Sequence, residues 1–365
     1  MPCFNKQCIV PNLLAFFITF ATGLAGALLL TPLSIRLGER WGFMAVPGGR
    51  RKHREPVSKL GIVPIFGAFL AAVLIAQLLP IPRFDPRETL RLTGLLGGAV
   101  VLVIAGVLDD RYDLKPFQQL VGQLIAAAIA ILFQIFIESI NNPLTGQQTE
   151  PWPYLVTVIV TVLWLEVSMN TVNWLDGLDG LASGVAFIAS VMLFIHSAFV
   201  LQPAQTSVSL LPLALMGATL GFLLFNFYPA RIFLGSGAPL LGYLLGTLSI
   251  IGGAKMATIL MVMGLPLMDF AWQVFRRTRE GRNPMSGDRG HLHFRLLDHG
   301  VDQRIVVSLY YVFCGFFGAL TLLLESAVFK AIALGVMVAL LIASFALIAR
   351  MPQPASSSES SSPSG

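Results

Sequence analysis

Two carboxylates three residues apart, Asp176 and Asp179, stand in the stretch NTVNWLDGLDGLASG among Leu, Gly, Ala and Val. On a helix that spacing puts both on one face, and a buried carboxylate without a partner is costly or gives up its charge. Nearby lie the amide oxygens of Asn170 and Asn173 and no sulfur, which suits a hard cation, Mg²⁺ before Zn²⁺. Mg²⁺ keeps waters and shares its remaining positions with substrate phosphates, so the cluster points to phosphoryl chemistry. The competing reading is a capped helix start, since Asp is common there and Gly177, Gly180 and Gly184 suit close helix packing. A cap, however, needs only one acid.

A second acidic group, Asp109 and Asp110 in GVLDDRYDLKP, directly ends an apolar run. Two adjacent negative charges there meet the negative end of the helix dipole, so a nearby cation is the economical explanation. The basic stretches PGGRRKHREPVSKLG and FRRTREGRNPMSGDRGHLHFRLL offer it. Juxtamembrane basic residues also anchor to anionic lipid, the favoured reading for Arg276, Arg277 and Arg279. His291 and His293 lack the further ligands of a zinc site, so phosphate binding or positioning is preferred for them. Asp298, Asp302 and His299 are read as ordinary loop residues.

The elements that must position these groups are set by composition. Of 365 residues, 55% are apolar and only 12% charged, with a mean hydropathy of +0.77, against about 25% charged in soluble domains. Apolar segments of spanning length are read at about 11–33, 61–80, 92–108, 119–138, 153–169, 181–200, 208–227, 238–254, 256–274, 305–325 and 328–349. The expected fold is therefore all-α and polytopic, with about eleven transmembrane helices. With the N-terminus outside and the C-terminus cytoplasmic, 18 of the 24 Lys and Arg residues fall on the inner side, as the positive-inside rule requires. That topology also puts every Asp except Asp85, and four of the five His, on the same face.

The first apolar segment has neither a basic start nor a clear cleavage site, so it is read as a retained span. Cys3, Cys8 and Cys314 show no metal-site spacing. Residues 1–350 are read as one membrane domain. The Ser/Pro-rich tail MPQPASSSESSSPSG, 351–365, is expected to be disordered.

Four motifs in order, GVLDDRYDLKP, NTVNWLDGLDGLASG, FNFYPARIFLG and GRNPMSGDRGHLHFRLL, make the chain resemble the polyprenyl-phosphate N-acetylhexosamine-1-phosphate transferases, glycosyltransferase family 4. The superfamily includes the translocase of the first peptidoglycan lipid intermediate and the GlcNAc-1-phosphate transferases of O-antigen (lipopolysaccharide) and teichoic acid synthesis. The resemblance runs from about Arg51 to Leu297. It implies transfer of a HexNAc-1-phosphate, GlcNAc-1-phosphate by the form of the histidine motif, from a UDP-sugar to undecaprenyl phosphate at the cytoplasmic membrane face, with release of UMP, in cell-wall or surface-polysaccharide synthesis. The cofactor implied is Mg²⁺, with Mn²⁺ as the alternative. Asp179 matches a metal ligand. Asp109 and Asp110 match the acidic pair assigned to lipid-phosphate activation or positioning, and Asp176, Asn173 and Asn170 fall where the nucleotide sugar binds. Asn226 of FNFYPARIFLG and Lys52 of the first cytoplasmic loop are grouped with the substrate contacts, and His291 and His293 lie near the diphosphate. The partners expected are undecaprenyl phosphate, a UDP-N-acetylhexosamine, membrane lipid and a second copy in a homodimer, with no nucleic acid.

The chain also departs from the pattern. After FLG the family reads Asp-x-Gly-Ser, where the Asp is a second metal ligand, whereas FLGSGAPLLG lacks that Asp. Gln119 stands where relatives carry Lys, Phe294 where they carry His, and KLGIVPIFG replaces a Pro-Arg-Leu-Gly-Gly pattern. Three readings follow: a transferase with an altered metal site, a catalytically silent relative that binds polyprenyl phosphate or nucleotide sugar, and a transporter. The last would need broken helices or inverted repeats at midplane depth, and the motifs do not recur.

Overall fold

Inside a bilayer no water is available to the peptide groups, so an apolar chain must satisfy them internally, and helices do so. The computed structural model describes residues 6–45, 56–83, 85–140, 142, 147–201, 205–252, 256–281, 290–324 and 326–350. Lys52 and the tail 351–365 lie outside the described residues. The chain runs α1 (Lys6–Trp41), β1 (Met44–Ala45), β2 (Val57–Ser58), α2 (Ile62–Leu78), α3 (Glu88–Tyr112), α4 (Pro116–Leu132), α5 (Tyr154–Leu175), α6 (Leu181–Ile195), α7 (Thr206–Asn226), α8 (Ala238–Ile251), α9 (Met256–Val262), α10 (Gly264–Arg279), α11 (Leu292–Asp298), α12 (Gln303–Leu323) and α13 (Ala327–Arg350). The all-α polytopic expectation holds. The strands are one short antiparallel pair, with Met44 opposite Ser58.

The expected count of eleven spans is not confirmed. The expected segments overlap helices, and among the described residues seven helices are long and apolar enough to cross a membrane: α1, α3, α5, α6 with its π-helical extension to Val200, α7, α12 and α13. The ninth expected span is broken, since α9 and α10 meet at a 75° bend, and counting that pair gives at most eight. Ile62–Leu78, Pro116–Leu132 and Gly235–Ile251 are shorter apolar helices. Apolar sequence marks burial in protein as well as contact with lipid. In α8, Leu240, Leu241, Tyr243, Leu244 and Leu245 are all fully buried, whereas α1, α12 and α13 expose Phe17, Leu29, Val312, Leu323 and Phe329.

Ala15, Ala76, Ile81, Leu210 and Leu213 form a small separate apolar cluster, and the main core closes around α8. That helix packs along α5 and also meets α3 and α6, while α1 lies along α7 and α2. The α1–α7 contact is backbone to backbone: a Cβ built on Gly217 would lie 2.5 Å from the Phe20 carbonyl oxygen, and one on Gly23 2.7 Å from that of Ala214. Without a lipid-phase hydrophobic drive, such close approach is what van der Waals packing between membrane helices depends on. Many buried hydroxyls are satisfied within their own helices, as with Thr31 to the Ala27 carbonyl and Ser190 to that of Ala186.

Gly217→Val forces two backbones apart and is expected to cost about 1–3 kcal/mol, read as a lower melting temperature in detergent. Gly315→Val, where a Cβ meets nothing within 4 Å, is expected to stay within about 0.5 kcal/mol of wild type.

Candidate active site

The α3–α4 turn builds the first part of the site. Asp113 ends α3 in the left-handed region, φ 47°, with its N–H on the Asp109 carbonyl. Pro116 opens α4, where its fixed φ suits a first turn, and Gln118 accepts from the Lys115 N–H at 2.9 Å. Asp109 Oδ1 accepts from the Leu114 N–H (2.9 Å) and from Gln119 Nε2 (3.0 Å). The Gln that stands in place of a Lys is therefore a neutral donor to the same carboxylate.

Ser236 closes the pair from the other side. Its hydroxyl lies 2.6 Å from Asp109 Oδ2 and 3.0 Å from Asp110 Oδ1, and its N–H donates to Asp110 at 3.1 Å. One hydroxyl has one proton, so it answers only one of two facing oxygens. Lys59 brings positive charge to the buried Asp110, with Nζ 3.4 Å from the Asp110 carbonyl oxygen and 4.0 Å from Asp113. Gly235 adopts φ +61°, and a Cβ built on it would collide with the Lys59 carbonyl oxygen and crowd the Asp110 carboxylate. An L-residue there would be strained and crowded at once. Beside the pair opens a small cleft of about 40 Å³ lined by Asp109, Gln119, Gln123, Asn173 and Ser236 and by Leu102, Ala105, Gly106 and Pro239.

The second part lies across α5. Asp176 and Asp179 do not share a helix face: Asp176 is the C-cap of α5, and both sit in the turn before α6. The alternative of a capped helix start is also not met, since α6 begins at Gly180 with no side-chain cap bond. Asp179 Oδ2 accepts from the Ala230 N–H at 3.1 Å. Asn170 turns toward α4, its amide 3.2 Å from Gln123 Oε1 and 3.3 Å from Glu166 Oε2. Asn226 is buried, donating to the Ile232 carbonyl (2.9 Å) and accepting from the Ser183 hydroxyl (2.6 Å). It thereby pins the segment 227–237, which joins Asp179 at Ala230 to the acid pair at Ser236. That segment is also held by Ser58, whose carbonyl accepts from the Phe233 N–H at 2.8 Å.

The third part is the histidine segment. His291 Nδ1 lies 2.9 Å from Asp269 Oδ2, and the Leu292 N–H donates to Asp269 Oδ1 at 3.1 Å. The His291 ring stands edge-on to Trp174, which itself lies under the buried Arg277 guanidinium at 4.8 Å. His293 is fully buried, stacks on His291 and packs against Gly177 of the DGLDG turn. Among the described residues neither of its ring nitrogens has a hydrogen-bond partner. Burial pushes its pKa down to about 4, so His293 is neutral at pH 7.

Asp109 and Asp110 thus meet at Ser236, while Asp179 is tied to the far end of the same segment. Among the described residues no three His, Cys, Asp or Glu side chains form a metal-holding group. Lys59, Ser236, Asp269 and Gln123 were not singled out as site residues by sequence. Lys59 had a visible signal, being in the basic loop that suggested Lys52. Ser236 and Asp269 depend on contacts across more than a hundred residues and across 22 residues.

A family model described as Glycosyl transferase family 4 matches residues 92–253. The chain is 30% identical to the decaprenyl-phosphate N-acetylglucosaminephosphotransferase of Mycolicibacterium smegmatis, covering 96% of this chain and 91% of that protein. It is 28% identical to a protein of Bacillus subtilis named "Probable undecaprenyl-phosphate N-acetylglucosaminyl 1-phosphate transferase", over 87% of each chain. Against the undecaprenyl-phosphate alpha-N-acetylglucosaminyl 1-phosphate transferase of Escherichia coli K12, identity is 25% over 79% of each.

Ser236→Ala removes the hydroxyl donor from the acid pair and is expected to cost about 1.5–3 kcal/mol, the range for hydrogen bonds to charged groups, measured by thermal melting in detergent. A second prediction concerns pH. The unfolded chain protonates His293 near the ordinary value of about 6.5, whereas the folded chain resists until about pH 4. This contribution to stability is present above pH 6.5 and is lost as pH falls toward 4. Wild type is expected to lose more stability than His293→Phe across that window, and parallel melting curves would contradict it.

Proposed function

The chain belongs to glycosyl transferase family 4, and from that premise we propose that it transfers GlcNAc-1-phosphate from UDP-GlcNAc to undecaprenyl phosphate, releasing UMP, at the cytoplasmic membrane face. The observation that carries the proposal is the acid pair held at Ser236 beside a cleft lined by Asp109, Gln119, Asn173 and Ser236 together with Leu102, Ala105 and Pro239. Such a cleft suits a phosphate carried on a hydrocarbon chain, with the charged end at Asp109, Gln119 and Ser236 and the first lipid carbons against Leu102, Ala105 and Pro239. Oxygen of the lipid phosphate attacks the β-phosphorus of the donor. The bond from that phosphorus to the bridging oxygen breaks, and the electron pair leaves with UMP.

In this scheme the acid pair orients the acceptor phosphate and takes up its remaining proton. Lys59, beside Asp110, offsets the charge that two carboxylates and a phosphate bring together. Asp176, Asn173 and Asn170 flank the donor, and Asn226 shapes the segment beneath it. Lys52 remains a proposed contact from the first cytoplasmic loop. His291 and His293 face the diphosphate, the latter as a neutral ring. The donor set fits a hard cation held as Mg²⁺ commonly is, by one or two carboxylates and substrate phosphates rather than by a protein cage. Asp179 would hold it, with Mn²⁺ as the alternative ion. When bound, the ion supplies charge neutralisation on the diphosphate.

A second reading has its own support. With the loop Asp missing, Ser236, Leu114 and Gln119 already engage the acid pair, which suits a relative that binds polyprenyl phosphate or nucleotide sugar without turning it over. Purified protein given undecaprenyl phosphate, Mg²⁺ and labelled UDP-GlcNAc distinguishes them. Label in lipid together with UMP release is expected, reduced at least about 10²-fold in Asp110→Asn and in Asp179→Asn. Binding without transfer by the wild type would establish the second reading.

A further inference from the structure

We propose that Asp269 is a positioning residue for the transfer reaction, acting through His291: it holds the imidazole in the Nδ1–H tautomer and leaves Nε2 as an acceptor for a hydroxyl or N–H donor of the bound nucleotide sugar. The inference deepens the proposed function and rests on it for the identity of the ligand. Its geometry stands independently. Asp269, on α10, and His291, at the start of α11, are both buried, and Nδ1 lies 2.9 Å from Oδ2. The other carboxylate oxygen accepts from the Leu292 N–H at 3.1 Å. A carboxylate offers only lone pairs, so an Nδ1 without hydrogen would set lone pair against lone pair in a buried place. The hydrogen therefore sits on Nδ1, and in the neutral ring Nε2 is the acceptor.

The ring plane is fixed as well. Trp174 meets it edge-on with centroids 5.4 Å apart, and His293 stacks on it at 5.5 Å with 14° between planes. Trp174 lies two residues before Asp176, so the oriented imidazole stands beside the turn that carries Asp176 and Asp179. Through Asp269, the helix that follows the 75° bend is coupled to this turn by a side chain that need not touch substrate.

Nitrogen-15 NMR of histidine-labelled protein and a double-mutant cycle test the proposal. Wild-type His291 is expected as the Nδ1–H tautomer. In Asp269→Asn the amide turned toward the ring donates instead, and the tautomer reverses. Transfer is expected to fall by about 10²-fold, the upper range for loss of an orienting partner, mainly in kcat, with KM for UDP-GlcNAc within about threefold. Adding Asp269→Asn to His291→Gln should cost less than about twofold more, because both changes act through one group. An Nε2–H tautomer in the wild type, unchanged transfer in Asp269→Asn, or losses that multiply in the double variant would overturn it. Asp269→Glu, which keeps the carboxylate, serves if Asp269→Asn does not fold, and is expected to keep the tautomer. Wild type that shows no transfer at all would refute the proposed function, while the tautomer of His291 would still decide the role of Asp269.

Discussion

Two adjacent carboxylates at the end of an apolar helix impose the constraint around which this molecule is arranged. Asp110 is buried and Asp109 half-buried, and both stand at the end of α3 where the helix dipole repels them. Donors must therefore be brought to them, and they come from three separate stretches of chain. Leu114 and Gln119 follow immediately, Ser236 comes from the segment before α8, and Lys59, just before α2, sets its ammonium against the Asp110 backbone carbonyl. Each donor fixes the place of the element that carries it. The turn geometry at Asp113 and the left-handed Gly235 follow from getting those donors close enough.

The segment 227–237 carries that constraint across the site. At one end Ala230 meets Asp179, at the other Ser236 meets Asp110, and Asn226 and Ser58 hold it between. Around this segment the acid pair is met by the Ser236 hydroxyl and N–H, the Leu114 N–H and the Gln119 amide, with the Lys59 ammonium beside the Asp110 carbonyl oxygen. Among the described residues no protein-held metal cage forms, and polar and apolar side chains together line the cleft beside the pair.

Burial explains the histidine side. Asp269, His291, His293 and Arg277 are all withdrawn from solvent, and charged groups so placed must be paired or neutral. Asp269 has two donors, Arg277 lies over the Trp174 ring, and His293 stays neutral. The two histidines of HLH, alike in sequence, are thus different in environment: one is tied to a carboxylate, and the other is held only by aromatic and glycine neighbours.

Much of this was legible in the residue order. Composition made the chain a helical membrane protein. Four ordered motifs marked the family, because phosphoryl chemistry restricts which side chains serve and short motifs keep them at fixed spacing. Hydropathy was less decisive for span number, since α8 is apolar for burial in protein, and the 75° bend between α9 and α10 leaves no mark in a hydropathy count. The helical-face reading of Asp176 and Asp179 failed because glycines at 177 and 180 favour a turn over a helix there. Ser236 at the acid pair, Asp269 at His291 and Lys59 at Asp110 were decided by tertiary structure alone. A hydrogen bond is specified by three-dimensional proximity within about 3 Å, and that proximity was created by helix packing between residues far apart in the chain.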